Sequence, residues 1–185
     1  MATTVQTAVH EQARHDGAAR SHRWWRRRPA SPRDALQELD RVREVLDRAR
    51  TLIETGWVQN RWYVLAPRRS SLLRQAVVAP DEVAAACLVG ALALALREQD
   101  PRADLLTRGG PVLDVVWDAA REAGASPDPV PARWACPRDT RLRHVRDLTR
   151  WNDRPGRTRD EVLAVLDDAS SRVIMAAVRE PAPTP

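Results

Sequence analysis

Among 185 residues there is no lysine and no phenylalanine, and only two cysteines, two methionines and one tyrosine. Without lysine, all 30 basic side chains are arginine. A single Arg therefore says less about fork-like recognition of carboxylate or phosphate than it would in a mixed chain. Two cysteines cannot staple a small domain together, and the polar, His-containing start of the chain has no apolar stretch of signal type. Both observations lead to the expectation of a cytoplasmic protein. Long apolar runs are missing too: the longest, Val83 to Leu96, has 14 residues and is half Ala or Gly, whereas a spanning helix needs about 20. No transmembrane segment is expected, and the run reads as a buried core helix.

Specialised chemistry is equally scarce. Gly109-Gly110 lacks the Lys and Ser/Thr of a phosphate loop and reads as a helix breaker. Cys87 and Cys136, with His10, His15, His22 and His144, match no usual ligand spacing, so neither a zinc site nor any other cofactor is expected. Cys87 paired with His144 would suggest a thiol nucleophile, but its Ala- and Leu-rich surroundings mark a small hydrophobe. The carboxylates are expected mostly on solvated helix faces, with no isolated apolar pair suited to general acid and base roles.

What is present is charge, unevenly placed. Residues 1–33 carry seven Arg against Glu11 and Asp16, a surplus equal to the whole net charge of +5. Residues 133–159 carry nine Arg against Asp139, Asp147 and Asp153, which the acidic remainder of the chain balances. Residues 1–30 have no sustained apolar period and are expected to form a disordered basic tail.

Beyond the tail the pattern predicts an all-α fold: a single small domain of about five helices over residues 31–180, built around a central apolar helix, with residues 181–185 a disordered Pro-rich end. Ser31-Pro32-Arg33-Asp34 supplies an N-cap, a first-position proline and an early acid. Leu36, Leu39, Val42, Leu46, Ala49 and Ile53 then form one stripe that Gly56 ends. Trp57 to Leu65 is expected to run extended, and Pro80-Asp81-Glu82 to open the central helix, which ends near Arg97. Val112, Val115, Val116, Ala119 and Ala123 mark a third helix, stopped by Gly124. Four prolines make 126–137 an irregular connection. Leu142, Val145 and Leu148 mark a fourth helix with basic faces, and a Thr158/Glu161 capping box opens the fifth.

Three motifs stand in order along this framework: Gly56-Trp57-Val58-Gln59 after the first helix, Cys87-Leu88-Val89-Gly90-Ala91-Leu92 in the apolar run, and Trp151-Asn152-Asp153-Arg154-Pro155-Gly156-Arg157-Thr158 before the last helix. On these motifs the chain resembles a family of proteins of unknown function common in actinobacteria and their phages, over roughly residues 40–170. Asn60 stands where that family usually has glycine. The resemblance implies a fold and a bacterial or mobile-element setting, but no activity.

Two groups of residues are candidate sites. Trp57, Gln59, Trp151, Asn152, Asp153 and Arg157 combine an indole, amides, a carboxylate and a guanidinium; they make either a small recognition site or a structural turn and cap. Arg20, Arg23, Trp24, Trp25, Arg26, Arg27 and Arg28 alternate cations with rings able to stack on bases, and Arg141, Arg143, Arg146, Arg150, Arg157 and Arg159 would extend such a surface. A membrane-surface role for the Arg/Trp segment is disfavoured by the lack of a long apolar face. The expectation is a binding or accessory protein, more readily non-enzymatic, of a plasmid or phage, with nucleic acid or a protein as partner. The alternatives are a nucleic-acid-associated protein using the tail, and an enzyme built around Trp151, Asn152, Asp153 and Gln59.

Overall fold

A computed structural model describes residues 31–66, 82–122 and 136–179. The candidates between Arg20 and Arg28, the tail boundary at residue 30, Ala123, Gly124 and residues 181–185 lie outside the described residues.

Five helices carry the described fold: α1 Pro32–Thr55, α2 Leu88–Gln99, α3 Gly110–Glu122, α4 Arg138–Asn152 and α5 Arg159–Arg179. Two short strands, β1 Tyr63–Leu65 and β2 Val83–Ala86, pair antiparallel between α1 and α2. The start signals of α1 act as expected: Ser31 Oγ accepts from the Asp34 N–H at 3.2 Å and proline occupies the first turn. The α1 stripe buries Val42, Val45, Leu46, Ala49, Leu52 and Ile53, and α1 packs on α2, α3, α5 and β2. At the opening of α5, Thr158 and Glu161 form the reciprocal box: the Thr158 N–H donates to Glu161 Oε2 at 2.8 Å and the Glu161 N–H to Thr158 Oγ1 at 3.3 Å.

The central helix is shorter than expected. Residues 83–86 form β2, and α2 begins only at Leu88, with Cys87 as its N-cap. An apolar run without periodicity cannot mark where a strand gives way to a helix. Pairing decides: β1 needs a partner for its backbone, and the register Tyr63 to Ala86, Val64 to Ala85 and Leu65 to Val83 supplies it, with a bulge after Val64. Gly56 ends α1 in an extended conformation at φ −176°. Its carbonyl accepts from the Ala86 N–H at 3.0 Å, and a side chain there would run into the Ala84 carbonyl. Gly90 does the same work on α2, where any Cβ would strike the Trp62 carbonyl.

In α4 the buried positions are His144, Leu148 and Asn152, four residues apart. Leu142, expected inside, is 45% exposed. The three-residue spacing of Leu142, Val145 and Leu148 slides off a face that turns every 3.6 residues, and a polar stripe takes the interior instead. None of the described helices is long and apolar enough to cross a membrane.

Candidate functional site

The first candidate group converges on one side chain. Asn152, the last residue of α4, is fully buried. Its Oδ1 accepts from Trp57 Nε1 at 2.9 Å and from the Leu88 N–H at 3.1 Å. Its Nδ2 donates to the Val58 carbonyl at 3.2 Å and to Asp153 Oδ1 at 2.8 Å. Two donors and two acceptor sites are all a primary amide offers, and each is taken. The amide thus joins the end of α4, the segment after α1 and the first turn of α2, where the Leu88 N–H has no partner within its own helix.

The surrounding residues close the same junction. Gln59 Nε2 donates to the carbonyls of Asn152 at 2.9 Å and Arg154 at 3.0 Å. Asp153 Oδ1 also accepts from the Asn60 N–H at 2.9 Å. Asn60 itself is at φ 60°, the left-handed region that glycine occupies freely and Asn tolerates better than most. Arg157 lies over the Trp151 ring at 3.9 Å, donates through Nε to the Trp151 carbonyl at 3.2 Å and through Nη1 to Glu161 at 2.7 Å. All six candidates therefore meet around one junction, bonded chiefly to one another and to backbone, across separations of more than 90 residues. The turn-and-cap alternative read from the sequence is a local one, whereas the Asn152 amide joins three separate segments.

Burial at the start of α2 pushes the Cys87 thiol up from its ordinary range, and its Sγ accepts from the Gly90 N–H at 3.3 Å. A buried cap rather than a mid-helix position, it still behaves as an unreactive group.

A second polar cluster was missed entirely. Asp114, in the interior of α3, is 2% exposed and His144 of α4 is 4% exposed, so this acid is an exception to the mostly solvated carboxylates expected. His144 Nδ1 lies 3.0 Å from Asp114 Oδ1. Asp114 Oδ2 accepts from Arg141 Nε at 3.1 Å and Nη2 at 3.0 Å, and from the Cys136 N–H at 3.3 Å. Arg141, expected on a basic surface, is turned inward; its Nη1 reaches the Leu106 carbonyl at 3.1 Å, over Gly110, where a Cβ would occupy the guanidinium's place. Trp117 stacks on the His144 ring at 4.2 Å and 15°. Burial alone pushes the Asp114 carboxyl up, but the bonds from His144 and Arg141 outweigh it and hold it below its ordinary value. Burial pushes the Cys136 thiol up to about 11, with the Asp114 charge adding to it. Asp118, one turn beyond Asp114, is raised by burial against the opposing pull of Arg121, Arg172 and His144, and its buried Oδ1 has no hydrogen-bond partner among the described residues. A signal was present in the sequence: Asp114 interrupts the otherwise apolar run from Pro111 to Trp117.

A third feature is open rather than closed. Trp62 is 51% exposed and Tyr63 is 37% exposed; with Gly90, Ala93, Leu94 and Arg97 they line a groove of about 360 Å³ beside α2. Arg61 and Arg97 are exposed and enter no ion pair among the described residues.

No curated protein and no solved structure matches the chain. One family model matches residues 37–172, from within α1 to within α5, and takes in both buried polar clusters but not the Arg20 to Arg28 candidates. The chain accordingly belongs to that family of unknown function, DUF6197.

Proposed function

We propose that this protein is a nucleic-acid-associated accessory protein, of the plasmid or phage setting to which its motifs point, and that it holds single-stranded nucleic acid in the Trp62 groove. One observation carries the reading: a half-exposed indole and a phenol ring line a groove whose rim bears Arg97, an exposed cation with no ion pair among the described residues. Base stacking on aromatic faces combined with phosphate attraction to Arg is the chemistry of sequence-tolerant single-strand binding. The Arg20 to Arg28 segment, with Trp24 and Trp25, supplies a second contact of the same composition. The enzyme reading around Trp151, Asn152, Asp153 and Gln59 is not adopted, because the Asn152 amide has no donor or acceptor left for a substrate.

The test is fluorescence-anisotropy binding of a labelled single-stranded DNA oligonucleotide at two salt concentrations, using the full chain, the chain lacking residues 1–30, and Trp62→Ala. The Trp62 carbonyl, which the substitution keeps, is the group bonded to the Cys87 N–H at 3.0 Å, and a thermal melt of Trp62→Ala checks that the fold is retained. Affinity that falls with salt, and falls about tenfold further in Trp62→Ala, supports the reading. Binding unaffected by Trp62→Ala removes the groove from it, and no binding by any of the three rejects it in favour of a protein partner.

A further inference from the structure

The geometry points to a divalent transition-metal site, best suited to zinc, formed by Asp114, Cys136 and His144. One ligand atom from each lies within 4.8 Å of the other two. Thiolate, imidazole and carboxylate together form a donor set that favours a borderline-soft ion such as Zn²⁺ over Mg²⁺ or Ca²⁺. The inference is independent of the groove and of any nucleic acid.

Two of the three ligands are already placed. Bonds from zinc to these donors are about 2.0–2.3 Å, so neighbouring ligand atoms in a tetrahedron sit roughly 3.3–3.8 Å apart. The 3.0 Å between His144 Nδ1 and Asp114 Oδ1 is close to such an edge, and a metal ion there takes the place of the proton the two atoms share. Both residues are fixed by helices. Cys136 precedes the first turn of α4, outside any regular element, and is the ligand free to close the remaining gap.

The surroundings orient those donors as metal sites require. Arg141 and the Cys136 N–H hold Asp114 Oδ2, which turns Oδ1 toward His144. The Trp117 ring fixes the imidazole plane from one side. Charge balances as well: the Asp114 carboxylate and a Cys136 thiolate neutralise a divalent ion, and Asp118 offsets Arg141. An independent sign is the buried Asp118 oxygen, which accepts no hydrogen bond among the described residues. With three protein ligands a fourth position falls to water. Binding releases the Cys136 thiol proton to solvent, and the neutral imidazole ligates through Nδ1 with its single proton on Nε2.

The experiment is a titration of the chelator-treated full chain with Co²⁺ followed by displacement with Zn²⁺, in wild type, Cys136→Ser, His144→Gln and Cys87→Ser. Expected are a 1:1 Co²⁺ complex with sulfur-to-cobalt charge-transfer absorption and tetrahedral visible bands, bleached by equimolar Zn²⁺ and kept in Cys87→Ser. Cys136→Ser loses the charge-transfer band, and His144→Gln binds at least tenfold more weakly. The charge-transfer band separates this site from adventitious binding by His10, His15 and His22, which carry no sulfur. Absence of the band, or its survival in Cys136→Ser, overturns the proposal. Should a variant fail to fold, alkylation of the wild type decides: Zn²⁺ protects Cys136 selectively if the site exists, and alkylation of Cys136 at the same rate with and without Zn²⁺ overturns it.

Discussion

The two buried polar clusters of this molecule are built on opposite principles. Around Asn152 the groups are neutral amides, an indole and backbone, with one carboxylate at the edge, and the central amide uses every donor and acceptor it has. Around Asp114 the groups are charged, and a carboxylate oxygen of the neighbouring Asp118 is left with no hydrogen bond among the described residues. Burying neutral groups costs little once they are bonded, whereas burying charge costs several kcal/mol per ion even when it is paired. The Asn152 amide thus seals three segments together, while Trp151 Nε1 in the same group is buried with no hydrogen-bond partner among the described residues. The second holds the fold at a cost that a hydrophobic replacement would avoid, and that is where a ligand is worth seeking.

The sharpest way to break the comparison is Asp114→Ala. It removes the carboxylate that bonds the buried Arg141 and His144 and is expected to cost about 3–5 kcal/mol in urea denaturation of the metal-free protein. A loss below about 1 kcal/mol would show that water reaches Arg141 and that the cluster is not a closed ion pair.

Asn152→Ala comes next. It strips partners from Trp57 Nε1, the Leu88 N–H and the Val58 carbonyl at once, and about 3 kcal/mol is expected, less than the sum of three separate losses because the junction relaxes. Asn152→Asp should recover only part of this, since a carboxylate cannot donate to Val58. Full recovery would mean the donor half of the amide is dispensable.

Gly90→Ala tests close packing without touching either cluster. The added methyl meets the Trp62 carbonyl, which is backbone and is also bonded to the Cys87 N–H at 3.0 Å. A loss of about 1–3 kcal/mol is expected in the same assay. A neutral outcome would show that β1 can lift away from α2.

The smallest effect carries a pH signature. Asp118 holds its proton more tightly in the folded protein than in the unfolded chain, because burial outweighs the pull of Arg121, Arg172 and His144. Its ionised form is therefore a cost at neutral pH, and that cost fades as pH falls through the raised folded value toward the ordinary carboxyl range. Asp118→Asn should stabilise the metal-free protein at neutral pH and give no gain in acid, as read by denaturation at both pH values. Asp114 has the opposite sign: its depressed carboxyl contributes stability above the ordinary carboxyl range, and the contribution is lost as pH falls through the folded value. An equal gain from Asp118→Asn at both pH values would rule out a desolvated charge as its cause.

Much of the scaffold was legible beforehand. Ser31, Pro32 and Asp34 announce α1, and Thr158 with Glu161 announce α5, because caps are satisfied within a few residues of themselves. The six residues around Trp57 and Trp151 could be named, but not their meeting: Gln59 and Arg154 lie 95 positions apart, and no local pattern reports such a bond. The strand at 83–86 was hidden inside an apolar run. The buried stripe of α4 was misread because its inner positions are His144 and Asn152 rather than leucines.

Sequence by itself therefore determined the helices, their caps, the membership in one family and the two segments that carry an excess of arginine. These are local or compositional properties, which each stretch of chain specifies without reference to the rest. Only the tertiary structure decided which polar residues are buried, which of them saturate one another, and that an acid in α3, a thiol before α4 and an imidazole within it share one pocket. Burial and hydrogen-bond saturation belong to pairs of distant segments, and those pairs come into being only when α1, α2, α3 and α4 have packed.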